Sequence, residues 1–542
     1  MSFDLLVPAP RSATTATGSF LLRPGTGLDG EPHLTRIVRR LLGMDLPDSA
    51  TGEVSVRVAP GEPESYRLAV SEQGIEIEAG DEAGVRHAVQ TLRQLIGPQA
   101  YRVAGKKEVG VPCGEVIDRP AVEWRGGMLD VARHFLTKRT VLKYVDLLAM
   151  HRMNRLHLHL TDDQGWRIES RSFPEISRLA THRPETIVGH LYDGRGYDGI
   201  PHGGYYTLDD LAEISAYARE RGIIVVPEID LPGHTSALLA AFPELGTGEI
   251  GVQRAWGVKS ATIKPVPRSV KRVCELLDEL LEVIDTPYVH LGGDECVTRD
   301  WVGDPEIAAH RESLGLATEG ELHGWFLREV AAHLATRGKR AVMWDEAYQT
   351  GGTLPDTIVM GWRGDAIAQR AAADGFDVVR APIYPTYLDY DQSELGSEPV
   401  TIGGPITLAD AASFDVTPDA WPAGERAGVL GGQWQAWGEY IPHERHLDYM
   451  TFPRACAIAE ALWSGRPADY DDLVRRLSGG HLARLEAAGC EYRPLAGPHP
   501  WQESGTGGRA RSASGMRWSL EQRREWSSSI PESAVADEPE AF

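Results

Sequence analysis

Tyr288-Val289-His290-Leu291-Gly292-Gly293-Asp294-Glu295 is a short apolar stretch that ends in two glycines and then two carboxylates. It reads as a strand that delivers acid chemistry to its own tip. Glycines let the backbone turn sharply and approach a ligand closely. Two neighbouring carboxylates cannot both ionise freely once water is excluded, so one of the pair is expected to move toward the protonated form. A raised carboxyl pKa is what a general acid working near neutrality needs. Alone, the pair reads as a solvated acidic turn, because acidic residues are common in loops. Its surroundings reverse that reading.

Eight apolar segments in the chain end in residues of the kind that build sites. In order, the ends are Asp130 to Arg133, Asp162 to Trp166, Asp230 to His234, Asp294-Glu295, Trp344 to Glu346, Trp362-Arg363, Tyr387 to Asp389 and Trp437 to Glu439. The segment bodies, such as Leu156 to Leu160, Ile223 to Val226, Ala341 to Met343 and Ile358 to Met360, are short and rich in Val, Ile and Leu. They read as strands buried on both faces. Between most of them lie stretches of helical periodicity: Lys138 to His151, Leu208 to Arg221, Ser269 to Ile284, Glu319 to Arg337 and Ala366 to Ala373. This alternation predicts an α/β fold, a (β/α)8 TIM barrel whose eight strand tips converge on one pocket.

The residues at four of these tips carry a resemblance. Arg125 to Phe135 (RGGMLDVARHF), His157 to Gln164 (HLHLTDDQ), Val226 to His234 (VPEIDLPGH) and His290 to Glu295 (HLGGDE) together resemble glycoside hydrolase family 20, the β-N-acetylhexosaminidases of bacterial type. Weaker similarity runs back through the first 120 residues and forward to about Trp463. The resemblance implies an exo-acting hydrolase that releases terminal, non-reducing N-acetyl-D-hexosamine from β-glycosides with retention. In such enzymes the substrate's own 2-acetamido oxygen displaces the leaving group through an oxazolinium ion, so no protein nucleophile is needed. It implies Glu295 as general acid and then base, Asp294 as the carboxylate that orients the acetamido N–H, and Tyr387 as the hydroxyl that holds the acetamido oxygen. His234 and Asp162 match a polar chain behind Glu295, with Asp163 and Asp230 as supports.

Sugar recognition needs rigid aromatic walls and convergent hydrogen bonds. By resemblance Trp344, Trp362 and Trp437 enclose the acetamido methyl and the ring, while Arg133, Asp389 and Glu439 hold the terminal sugar's hydroxyls. Each of these charged groups has a plainer reading as a member of an ion pair at the barrel rim. No metal and no cofactor is implied.

Two other readings are open to the sequence. His157-x-His159 lies on one strand with alternate residues facing inward, as in metal-dependent amidohydrolases. No ladder of lysine or histidine follows at the other tips, and buried, hydrogen-bonded histidines filling the barrel account for the pair. A sugar-binding relative without catalysis predicts a missing acid, yet Glu295 is present.

At 542 residues the chain exceeds one ordinary domain. A net charge of -23 argues against nucleic acid or an anionic membrane as partner and leaves a small glycan or glycoside. The oligomeric state, monomer or homodimer, is not legible. No apolar run approaches the ~20 residues of a membrane span, and the start Met1-Ser2-Phe3-Asp4-Leu5-Leu6 has neither a basic n-region nor an h-region. As written the protein is expected in the cytoplasm, with export open if the true start differs. Five cysteines, without close-spaced pairs, fit a reduced compartment.

Residues 1–119 read as a small α+β domain, with strands at Glu53 to Val58, Tyr66 to Val70 and Gly74 to Glu78 and a helix from Ala83 to Ile96. The barrel is assigned 120–496. From 497 to 542, Gly, Ser, Pro and charge predict a flexible tail, with a short helix near Leu520 to Trp526. Three features depart from the family pattern. Cys296 follows the acidic pair, either as a reactive thiol or as a small packed hydrophobe. Gln433-Trp434-Gln435 precedes the expected Trp437 and Glu439 and is expected to alter the pocket's far wall. The long connection from Asp391 to Arg426 is expected to cap or narrow the cleft.

Overall fold

The computed structural model describes residues 2–102, 108–248 and 250–503. At its centre is a closed barrel of parallel strands in sequential order. These are β1 Trp124–Asp130, β2 Arg155–His159, β3 Ile224–Leu231, β4 Tyr288–Gly292, β5 Arg340–Trp344, β6 Ile358–Gly361, β7 Asp377–Arg380 and β8 Val429–Trp434. β8 pairs back onto β1. The helices that follow them include α1 Lys138–Met150, α2 Leu208–Glu220, α3 Pro267–Leu281, α4 Glu319–Thr336, α5 Asp345–Gln349, α6 Asp365–Ala373, α7 Leu408–Ala412 and α8 Arg454–Ser464. This is the expected (β/α)8 barrel.

The apolar runs become strands because both faces are covered. Every residue of β2 is buried: Leu156 and Leu158 join the outer core with Val141 and Leu148 of α1, while His157 and His159 point the other way. Inside the barrel, Trp124, Val226, Val342, Trp344, Ile358, Met360 and Val379 form one cluster. The parallel register sets His159, Glu228 and His290 side by side on β2, β3 and β4. A slip of one residue would reverse which face each occupies. The helices start on sequence cues: the Thr207 and Thr318 hydroxyls cap α2 and α4, with Asp210 and Glu321 closing capping boxes.

The N-terminal unit is a six-stranded sheet in the order Ser12–Leu22, Val109–Asp118, Tyr66–Ser71, Gly74–Ala79, Val54–Val58, Leu28–Gly30, with helices Pro32–Leu42 and Glu82–Ile96. It is fixed to the barrel through buried charge. Arg125 of β1 pairs with Glu64 and is fully buried, and Arg152 donates to Thr91 Oγ1 at 2.8 Å and Pro8 O at 3.0 Å. Trp463 of α8 donates to Asp118 Oδ2 at 3.0 Å. Residues 504–542, which include the segment with the expected short helix, lie outside the described residues. Among the described residues, no helix is long and apolar enough to cross a membrane.

Candidate active site

The C-terminal ends of the strands surround a pocket lined by Arg133, Asp294, Glu295, Trp344, Trp362, Tyr387, Asp389, Tyr390, Ile402, Trp437 and Glu439. Counted to its open mouth the cavity is about 460 Å³, the size of a small-ligand site. All but Tyr390 and Ile402 are expected from sequence. Tyr390 directly follows Asp389, a signal that was there to read. Ile402, from the connection after Asp391, carries none, and through it that long segment reaches the pocket lining.

The acidic pair is placed by an unusual turn. After β4 the chain passes through left-handed backbone at Gly292 (φ 66°), Gly293 (φ 98°) and again at Glu295 (φ 46°). A Cβ on Gly292 would lie 1.7 Å from Asp230 Oδ1, so no other residue fits there. The turn sends the two carboxylates to different surroundings: Asp294 is 8% exposed, whereas the Glu295 side chain is 13% exposed and faces His234.

Behind the pair lies a chain of alternating charge. His234, itself left-handed at φ 52°, places Nε2 3.5 Å from Glu295 Oε2 and Nδ1 3.4 Å from both Asp162 Oδ1 and Asp163 Oδ2. At these separations the contacts are ion pairs rather than formed hydrogen bonds. Asp162 Oδ2 is 2.7 Å from Arg133 Nη2, and Asp163 Oδ1 accepts from the Ser236 amide at 3.0 Å and its hydroxyl at 2.5 Å. Burial pushes His234 toward neutrality, but Asp162, Asp163 and Glu295 outweigh it and hold the imidazole well above its usual pKa. Arg133 and His234 likewise overcome the burial of Asp162 and keep it ionised.

Asp294 behaves oppositely. Burial first, then Glu295 and Glu228 against the pull of His234, raise it to about 6. Asp230 is raised further, by burial and by Asp294. Asp294, the deeper of the pair, is thus raised mainly by its burial, with neighbouring acids adding to it.

Four aromatic rings enclose the rest of the pocket. Trp344 and Trp437 have centroids 5.9 Å apart, Tyr387 and Trp437 6.1 Å, and Trp362 stacks on Tyr387 at 6.5 Å and 21°. Trp362 Nε1 donates to Glu346 Oε2 at 2.8 Å. Arg133 lines the pocket with its guanidinium 4.9 Å from the Trp437 centroid, yet it also pairs with Asp130 and Asp162. It is therefore an ion-pair member that also lines the pocket. Glu439 Oε2 and Asp294 Oδ1 are buried without a hydrogen-bond partner.

Aromatic faces, two acceptors without partners and a guanidinium around one cavity suit a sugar. Residues 122–466 match the family model for the catalytic domain of glycosyl hydrolase family 20, and residues 5–119 match the model for that family's domain 2. The chain belongs to glycosyl hydrolase family 20. A beta-hexosaminidase of Akkermansia muciniphila is 36% identical over 74% of this chain and 80% of its own length. One of Porphyromonas gingivalis is 32% identical over 92% of this chain, which spans 65% of that relative. Among solved structures, the family 20 exo beta-N-acetylglucosaminidase of Vibrio harveyi in complex with N-acetylglucosamine superposes with a TM-score of 0.79 at 31% identity, covering 91% of this chain and 79% of that one. As a member of family 20 the protein is a glycosidase of the β-N-acetylhexosaminidase type, and its substrate is a glycan.

The family 20 barrel also resolves the other expectations. His157 and His159 are both spent on Glu228. Trp124 Nε1, a donor only, faces Gln433 Oε1 at 3.2 Å, so the Gln433 amide nitrogen points at His157 Nδ1 (2.9 Å), which must accept. The His157 proton is then on Nε2, donated to Glu228, and that nitrogen has no lone pair for a metal. Gln433 and Gln435 are fully buried barrel filling, and Trp434 faces outward to donate to Tyr144 Oη at 2.7 Å. This corrects the expectation that they shape the far wall. Cys296 packs with Val266, Trp301, Ile307 and Leu322, and burial pushes its thiol pKa up, as for a packed hydrophobe.

Proposed function

We propose that this pocket removes one terminal, non-reducing N-acetyl-D-hexosamine, GlcNAc or GalNAc, from a β-glycoside with retention, by substrate-assisted catalysis. The carbonyl oxygen of the 2-acetamido group attacks C1 while the C1–O bond to the leaving group breaks. Glu295 gives its proton to the departing oxygen. Positive charge spreads over the oxazolinium ring, and ionised Asp294 accepts the hydrogen bond of its N–H. The Tyr387 hydroxyl donates to the attacking oxygen and aims it. Glu295, now a carboxylate, takes a proton from the water that opens the ring at C1. Two inversions at one carbon give retention.

The observation that carries this reading is the buried Asp294 Oδ1, an acceptor with no partner, beside Glu295 within the aromatic walls. A buried acceptor of that kind costs free energy until a donor meets it, and an amide N–H is such a donor. The exo mode is supported by Arg133, Asp389 and Glu439, three charged groups that line the cavity with the acidic pair. The N-acetylglucosamine complex of the Vibrio harveyi relative supports the sugar class. The test is kcat/KM on matched aryl β-glycosides with a 2-acetamido or a 2-hydroxyl group. Collapse of turnover without the acetamide is expected. Equal rates, or a glycosyl ester trapped on a side chain during turnover, would return the mechanism to two carboxylates.

A further inference from the structure

Beneath the pocket floor, Glu228 of β3 is fully buried and collects donors from β2 and β5. Its Oε1 accepts from Trp344 Nε1 at 2.9 Å and lies 2.8 Å from His290 Nδ1. Its Oε2 accepts from His157 Nε2 at 3.0 Å and from His159 Nδ1. Burial pushes the carboxyl up, but His290, His159 and His157 more than reverse this and keep it ionised. No role in the reaction derived above uses it. A buried ion of this kind is costly and is tolerated only when fully paired.

Two partners of Glu228 connect it to the pocket. Trp344 is a pocket wall, 1% exposed, and its indole N–H is fixed by Glu228. His159 is held protonated: burial opposes this, but Glu228 and Asp162 win. Its Nδ1 donates to Glu228 and its Nε2 lies 3.2 Å from Asp162 Oδ2. That oxygen also meets Arg133, while the other Asp162 oxygen faces His234, which faces Glu295. One carboxylate therefore anchors the wall expected beside the acetamide and one end of the chain that holds the acid.

We propose that Glu228 is a positioning residue for this hydrolysis, fixing the Trp344 wall through one oxygen and the His159–Asp162–His234–Glu295 chain through the other. The inference rests on the proposed function. In Glu228→Gln the side chain keeps its shape but has one acceptor oxygen. Either the indole or the two imidazoles then face an NH2 group, and one arm is lost. Two ratios read the two arms in folded enzyme. The preference for N-acetyl over N-butanoyl glycosides reports the wall, and the preference for aryl over alkyl leaving groups reports the acid chain.

In Glu228→Gln at least one ratio is expected to change fivefold or more, with kcat/KM falling about 10²-fold as for misplaced catalytic groups. If that variant fails to fold, Glu228→Asp keeps the charge while withdrawing both oxygens, and the same shift is expected. A purely structural role lowers activity in proportion to folded protein and leaves both ratios at the wild-type values; that result in a folded variant overturns the inference. Acetamide-independent turnover by the wild-type enzyme would instead overturn the proposed function, so the two failures are distinct.

Discussion

Asp294→Asn replaces the one carboxyl whose burial and purpose conflict. Its pKa of about 6 stands about two units above the model value of 3.8, or about 3 kcal/mol at about 1.4 kcal/mol per unit. Because the folded state binds this proton more tightly than the unfolded chain does, the contribution is fully present below about pH 4. It is lost as pH rises through about 6. Asn has no proton to lose. The variant should therefore match the wild type in thermal stability near pH 4 and exceed it progressively up to pH 7, with the gap flat beyond. Activity moves the other way. In the proposed mechanism the ionised form accepts the acetamido N–H, so wild-type kcat/KM should fall about tenfold per pH unit below 6, while the variant is slow and lacks that limb. The assay is a thermal melt of both proteins from pH 4 to 8, paired with kcat/KM on an aryl N-acetylglucosaminide across the same range. A stability gap independent of pH, or one favouring the wild type at pH 7, would refute the placement of Asp294 as a costly buried acid.

Glu295→Gln should lose about 10² to 10⁴-fold in kcat on alkyl glycosides and less on aryl glycosides that leave unaided, with N-acetylglucosamine still binding by calorimetry; near-wild-type turnover of the alkyl substrate contradicts its role. Gly292→Ala should fold with a penalty of at least about 1–2 kcal/mol from its left-handed backbone alone and should lose activity as the new methyl displaces Asp230 against Asp294. An unchanged kcat/KM would show that this contact is slack. All five cysteines are buried, so native protein should be inert to a thiol reagent that titrates them after denaturation. Rapid modification of native Cys296 would revive it as a reactive group.

The barrel was legible because strands covered on both faces must be apolar along their length and can turn polar only where they reach the pocket. That single rule separates Leu156 to Leu160 from Asp162 and Tyr288 to Leu291 from Asp294. It fails at edges. Ser12–Leu22 is exposed along most of its length, its residues are largely Ser, Thr, Ala and Gly, and nothing in that composition announces a strand. It also fails in the barrel interior, where Glu228, Gln433 and Gln435 sit as polar filling. A glutamate in mid-strand has no apolar pattern of its own, and only the register that sets it between His159 and His290 reveals what it is for.

The same limit explains why the residue pattern could pair Asp294 with Glu295 while their separate roles came only from the family resemblance. Adjacent residues in a regular strand would point to opposite faces, one into the pocket and one into the helical shell. The left-handed backbone at Gly292, Gly293 and Glu295 abolishes that alternation, so both side chains enter the site from one turn. Once inside, both feel His234, and Asp294 has in addition Glu228 and its own deeper burial. Burial and the neighbouring acids raise the proton affinity of Asp294 against the pull of His234, the kind of tuning by which carboxyls in one site take different roles. The glycines belong to that arrangement as fully as the acids, since the volume a Gly292 side chain would fill is occupied by the Asp230 carboxyl, whose own proton affinity burial and Asp294 raise.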